Sequence, residues 1–209
     1  MIAVLTGELI FPRTQEGNLL WQDQLRELLQ TAGNSPETWQ LYRENRFELK
    51  TSPEEALRWA LKIDTCMRTH KGMSARIGIG IGEEGTRTSS ILDNQGEARQ
   101  NAENAFKKIS KTQQSLWLKS PLSEMDAGLN SGMELLMALA RQWSSNQAHL
   151  ALALLSKPHY SQEEIASLFH ISQSAVSQRK KRAHIDPIEH YLRYAQDLVQ
   201  KRLGQLILA

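Results

Sequence analysis

Between Ser161 and Ala183 the chain reads S-Q-E-E-I-A-S-L-F-H-I-S-Q-S-A-V-S-Q-R-K-K-R-A, and few local folds accommodate that order of residues. Ser161 followed three residues later by Glu164 is a capping box, which predicts a helix from Gln162. Ile165, Ala166, Leu168 and Phe169 then place apolar side chains at helical spacing, so one face is expected to be buried. The pattern breaks at His170-Ile171-Ser172. Ser172 is a good N-cap for a second helix from Gln173, with Ala175 and Val176 facing inward. Ala166 is small where two such helices must cross, and Ile171 plugs the same core from the turn. The second helix leads with short hydrogen-bonding residues, Ser172, Gln173, Ser174, Ser177 and Gln178, and ends on Arg179, Lys180, Lys181 and Arg182. A helix entering a DNA major groove needs that order, amides and hydroxyls for base edges and cations for phosphates. An ordinary helical hairpin with a basic face is the alternative expectation.

The stretch resembles the helix-turn-helix of bacterial regulators, where a run close to (S/T)-Q-x-E-I-A-x-x-L-G-(V/I)-S-Q-x-x-V-S is common. Two positions depart from it. His170 replaces the turn glycine and must accept a positive φ, and Arg179 stands where an apolar residue is usual. The resemblance implies double-stranded DNA as the partner. Gln173, Ser174, Ser177 and Gln178 would then meet base edges, and Arg179 to Arg182 would meet phosphates.

Charge is distributed to match. The 209 residues carry a net +2, yet from Ser144 onward there are eight Lys and Arg against five Asp and Glu, where the preceding residues carry 17 against 18. A mildly acidic front and a basic rear suit a chain whose rear end meets nucleic acid. The single cysteine, Cys66, rules out an intramolecular disulfide and leaves no thiolate cluster for a metal. Its neighbours Ile63 and Met67 predict a buried helical position. No apolar run reaches membrane-spanning length. The first ten residues lack a basic leader and are interrupted by Glu8, so a cytoplasmic protein is expected.

The front reads as alternating strands and helices. Met1 to Ile10 is an apolar run expected to be a strand buried on both faces. A helix follows over Trp21 to Leu29. Trp39 to Arg43 and Arg46 to Lys50 alternate around Glu44-Asn45, as in a β-hairpin. Ser52-Pro53-Glu54-Glu55 predicts a capped helix start, with Ala56, Leu57, Ala60, Ile63 and Met67 inward. Ser74 to Glu83 is a strand with glycine on one face and isoleucine on the other. A bare glycine face lets a helix or ligand approach the sheet backbone, and the alternation does not fit a dinucleotide-binding turn. The loop Gly82 to Ser90 is a polar candidate for lining a pocket. A helix over Gly96 to Ser110 and a strand over Ser115 to Leu118 complete this part. The expected class is α+β, with a ferredoxin-like βαββαβ order.

Three short runs resemble the SatD-like family and the palm of class III nucleotide cyclases and GGDEF proteins. They are Thr6-Gly7-Glu8-Leu9-Ile10, then Tyr42 to Phe47 followed by Pro53 to Leu57, then Arg76 to Gly80 with Gly96-Glu97-Ala98 and Asn101-Ala102. In such palms two carboxylates hold the metal ions that activate the attacking hydroxyl. Carried onto this chain, those positions become Glu8 and Asn45, with Glu44 at the preceding glycine. Asparagine supplies no charge to a hard cation, so the resemblance implies a palm without catalysis and with no metal or other cofactor. Glu8, Glu44, Asn45 and Arg76 remain candidates for holding a nucleotide or another small effector. A metal-dependent cyclase-type enzyme regulated by its rear helices is the alternative.

Pro121 marks a boundary. Glu124 to Trp143 is expected to be a strongly apolar helix, Gln147 to Ser156 the first helix of a tri-helical unit, and Asp186 to Leu203 a last amphipathic helix. The expected organisation is a palm-like domain over residues 1–120, a connecting and dimerising helix over 121–146, and a DNA-binding domain over 147–209. Part of the apolar stripe of the connecting or last helix is expected to pair two copies, since dimers read two half-sites.

Overall fold

The computed structural model describes residues 1–12, 20–86, 89–112 and 114–207. Residues 87 and 88 of the expected pocket-lining loop therefore lie outside the described residues. The elements are β1 (Ile2–Ile10), α1 (Leu20–Gln30), β2 (Trp39–Tyr42), β3 (Arg46–Thr51), α2 (Ala56–Arg68), β4 (Ser74–Gly82), α3 (Glu97–Ile109) and β5 (Leu116–Lys119), then α4 (Ser123–Ala140), α5 (Ser145–Ser156), α6 (Gln162–Phe169), α7 (Gln173–Arg182) and α8 (Ile185–Ile207). The fold is α+β, a mixed five-stranded sheet with helices followed by an all-helical region. No helix among the described residues is long and apolar enough to cross a membrane.

The sheet runs β2-β3-β1-β4-β5, with β1 antiparallel to both neighbours and β5 parallel to β4. Strand alternation gives it two unlike faces. Leu5, Leu9, Phe47, Leu49, Ile77, Ile79 and Ile81 are buried on one, in a core shared with Trp21, Leu25 and Leu29 of α1 and the apolar residues of α2. The other face carries Gly78, Gly80 and Gly82, and α3 lies directly on it. A Cβ at Gly80 would run into the backbone of Ala98 and Ala102, and one at Gly78 into Ala102 and Phe106. Glycine is required here by the closeness of α3, not by backbone conformation.

The helical region is not a separate bead. Of the 13 residues of α2, ten are buried, including Trp59, Leu61, Asp64 and Thr65 beyond the expected positions. Its second side is covered by α5 and α8. Arg58 of α2 donates to both oxygens of Glu189 of α8, each at 2.9 Å, and Gln196 donates to Glu55 at 3.2 Å. On the sheet edge, Asn130 of α4 accepts from Leu118 N–H at 2.7 Å and returns a bond to Leu118 O at 2.9 Å, pairing part of the strand edge. Burial pushes the Cys66 thiol up to about 12, as fits a packing residue and not a redox one.

Several boundaries differ from expectation. Ser52 does not cap α2. Its carbonyl accepts from Glu55 in a turn, and the N-cap is Glu55, without a side-chain bond. The connecting helix ends at Ala140, because Ser144 and Gln147 form a capping box that restarts the chain as α5. The last helix begins one residue early, at Ile185, after a left-handed corner at His184 (φ 53°). The stripes considered for dimerisation are largely used inside the chain. Met125, Leu129, Met133, Leu136 and Met137 of α4 and Ile188, Leu192, Val199 and Leu203 of α8 are buried in the common core.

Replacing Gly80 with alanine should push α3 off the sheet and cost about 1–3 kcal/mol, the range for overpacking a tight core. Urea denaturation checks this, and an unchanged midpoint would contradict the close contact. A second outcome concerns His70, at the end of α2. Its ring Nε2 lies 2.9 Å from Gln24 Oε1, and burial, then the nearby His149, lower its pKa below the ordinary 6.5. The unfolded chain therefore takes up this proton before the folded one does. This contribution to stability is complete above pH 6.5 and is lost as pH falls from there toward the lowered folded value. Thermal unfolding followed across that interval should show a smaller acid loss in His70→Gln than in wild type.

Candidate nucleic-acid interface

The capping box forms as the residue types require. Ser161 N–H donates to Glu164 Oε2 at 2.7 Å, and Glu164 N–H donates to Ser161 Oγ at 3.2 Å. Those bonds hold the Glu164 carboxyl below the usual range. At the other end of α6, His170 adopts the left-handed conformation, φ 52° and ψ 43°. Ile171 N–H then reaches Ala166 O at 3.0 Å and His170 N–H reaches Ser167 O at 3.3 Å. This is a Schellman closure with histidine where glycine is commonest. Ile171 folds back onto the small core of Leu150, Ile165, Ala166 and Val176, which ties α5, α6 and α7 together.

Ser172 caps α7, accepting from Ala175 N–H at 3.2 Å. At 3.6 residues per turn, Gln173, Ser174, Ser177, Gln178 and Lys181 fall within an arc of about 140°. Val176, fully buried, lies outside that arc. All five are exposed, as are Ser172 and Arg182. Arg179 and Lys180 are half-buried on the flanks of the helix, and Lys180 Nζ is held by Asp186 Oδ1 at 2.6 Å. The nine expected DNA-facing residues thus divide. Five form one open polar face ending in a cation, Ser172 supplies the cap, Arg179 and Arg182 stand beside the face, and Lys180 is paired with α8. Four cations in the last turn also suit the negative end of the helix dipole, so the cluster has a structural benefit of its own.

In the front half, Asn45 Nδ2 donates to Glu8 Oε1 and to Leu9 O, each at 3.3 Å, and Leu9 N–H donates to Asn45 O at 2.8 Å. Arg76 faces Glu8 across β4, and Arg46 faces it across β3. Glu44 is exposed at the hairpin tip, where it and Arg43 both have positive φ, 61° and 48°. Glu8, Asn45 and Arg76 are therefore brought together and Glu44 is not. Among the described residues no group of three or more His, Cys, Asp or Glu side chains could hold a metal ion.

A neighbouring feature lies on the glycine face of the sheet. Glu48 of β3 is 1% exposed and takes a two-pronged bond from Arg99 of α3, at 3.0 and 3.1 Å. Burial raises the Glu48 pKa, with Arg99 opposing the rise. The pair floors a cleft of about 330 Å³ lined also by Thr6, Tyr42, Arg46 and Phe106. Arg46-Phe47-Glu48-Leu49-Lys50 alone reads as an ordinary solvated strand face, and only the placement of α3 buries the acid.

No protein family, curated protein or solved structure matches the chain.

The turn yields a direct test. Relieving a left-handed non-glycine residue returns about 1–2 kcal/mol, and the freer unfolded chain of a glycine variant takes back about 0.4–1 kcal/mol. His170→Gly should therefore raise the urea midpoint modestly. A lowered midpoint would show that the histidine ring makes contacts that outweigh the strain.

Proposed function

We propose that this chain is a DNA-binding transcriptional regulator that reads the major groove with α7. The observation carrying the proposal is the exposed arc of Gln173, Ser174, Ser177, Gln178 and Lys181 on a helix capped and packed at both ends. Amides and hydroxyls that hydrogen-bond base edges lead, and a cation follows at the same face. The front half is read as a dimerisation or effector-sensing module without catalysis. The order β2-β3-β1-β4, with α1 and α2 as the crossovers, supports a ferredoxin-like palm to which α3 and β5 are added. The hydrogen bond from Asn45 favours a Glu8 that is occupied structurally and not poised for a metal. Its effector, if the module takes one, is proposed to lie among Glu8, Asn45 and Arg76. The protein is proposed to work in the cytoplasm, and a homodimer is proposed because one recognition helix binds weakly. With the α4 and α8 stripes buried, apolar surface left for a second copy includes Leu135, 72% exposed, and Tyr194, 56% exposed.

Selection of duplexes from a random pool, followed by titration at several salt concentrations, tests the reading. Gln173→Ala should relax sequence choice at one position, by about 1–3 kcal/mol of discrimination. Lys181→Ala should weaken binding to every sequence and lower the slope of log affinity against log salt by about 0.9. Absence of binding to any duplex would refute the proposal.

A further inference from the structure

The cleft over Glu48 and Arg99 is polarised along its length. Its walls, β3 and α3, run past each other in opposite directions, so Glu48 meets Arg99 at one end and Arg46 meets Phe106 at the other. At the first end charge is answered. Arg99 is bonded to Glu48, and Glu103, one turn on, lies 3.8 Å from its Nη2. At the second end Arg43, Arg46 and Lys107 line the cleft, and none of the three has an ion-pair partner among the described residues. Glu8 faces Arg46 across the strands but accepts from Asn45. Arg46 is also fixed in place, with its Cζ 4.6 Å from the centre of the Phe106 ring. A guanidinium stacked on an aromatic face keeps its N–H edge for an anion. Against Glu48 and Glu103 stand Arg43, Arg46, Arg99 and Lys107, so the lining has a surplus of two positive charges.

We infer that this cleft binds a small sugar phosphate, its phosphate on Arg43, Arg46 and Lys107 and its hydroxyl groups toward Glu103 and Tyr42. A phosphate monoester carries about −1.5 to −2 at neutral pH, which matches the surplus charge of the lining. Guanidinium forks take its oxygens two at a time. The other end supplies what a hydroxylated body needs. Glu103 is exposed, and an ionised carboxylate accepts bonds from hydroxyl groups. Tyr42 reaches Glu48 only at 3.5 Å, and burial, then Glu48, raise its pKa, so its hydroxyl keeps a proton to donate. The volume of about 330 Å³ stands near the lower end of small-molecule sites, roughly 300–1,000 Å³. Glu48 and Arg99, satisfied by each other, act as a floor that holds α3 against the sheet. None of Glu8, Asn45 and Arg76 lines the cleft, and the inference does not depend on whether α7 reads DNA.

Isothermal titration calorimetry of the full chain at low salt tests this, with glycerol 3-phosphate, ribose 5-phosphate, glucose 6-phosphate and inorganic phosphate as probes. At least one of the three esters should bind about tenfold more tightly than inorganic phosphate, the effect of one added charge-assisted bond. Arg46→Gln should weaken that ester about tenfold on the same ground. Lys107→Gln, an exposed change, should weaken it severalfold, whereas Lys111→Gln, equally exposed but outside the cleft, should leave it unchanged. Glu103→Gln should weaken the ester while inorganic phosphate binds as tightly as before or tighter, a split that a loss of folding would not produce. Three outcomes would overturn the assignment: no ester binds the wild-type chain, Lys107→Gln and Lys111→Gln lose equal affinity, or inorganic phosphate matches the best ester and Glu103→Gln changes neither.

Discussion

Burial of α2 on both of its sides is the constraint on which the rest of the molecule depends. A helix that is apolar around most of its circumference cannot sit at a surface and must be enclosed. One side of α2 covers the isoleucine face of the sheet, and the other receives α5 and α8. Its few polar groups inside are mostly answered. Asp64, fully buried, is gripped by Arg68 one turn on and accepts from Ala75 N–H at 3.0 Å, which ties the end of α2 to the start of β4. Arg58, on the outer side, is held by both oxygens of Glu189. A buried carboxylate left alone would cost several kcal/mol, so such pairings accompany a helix packed this deeply.

The two-sided burial also brings residues from both sides of Pro121 into one hydrophobic core. α5 serves two cores at once. Leu150 packs with Ile165 and Val176 in the small tri-helical core, while Ala151 and Leu155 face the main core. The hydrophobic faces of α4 and α8, strong enough to suggest a partner subunit, are instead used on each other and on α2. Tyr191 of α8 donates to Leu129 O of α4 at 2.7 Å, across a contact made close by Gly132.

Features set by local chemistry were legible in the sequence. The capping box at Ser161, the left-handed turn at His170, the N-cap at Ser172 and the glycine-isoleucine alternation of β4 depend on residues a few positions apart, and all stand as those residues imply. Features set by what packs from elsewhere were not. Trp59 and Leu61 could not be assigned to the inside of α2 without knowing that α5 and α8 would arrive. Glu48 looked like a solvated strand residue because Arg99, 51 positions later, is what neutralises it. The capping box at Ser144 and Gln147 was missed, because the apolar run through Trp143 looked like one long helix and concealed the corner. At the candidate interface the five-residue arc was readable from helical period alone. The pairing of Lys180 and the half-burial of Arg179 needed the positions of α8 and α5.

A recognition surface gains from being held still, and the reading of α7 as such a surface fits the way its far end is fastened. Trp143 Nε1, buried at the α4–α5 corner, donates to Ala183 O at 3.0 Å at the end of α7. His184 then turns the chain through a left-handed conformation into α8, whose first buried residues, Ile185 and Ile188, enter the core. The cap of Ser172 fixes the near end. With both ends tied, the side chains of the exposed arc keep their spacing without further ordering of the backbone. Ordering a loose segment on binding costs affinity, and a segment ordered by folding has already met that cost. The sheet stands behind that surface through packing alone, because α2 lies on the sheet and against α5, and α5 packs on α7.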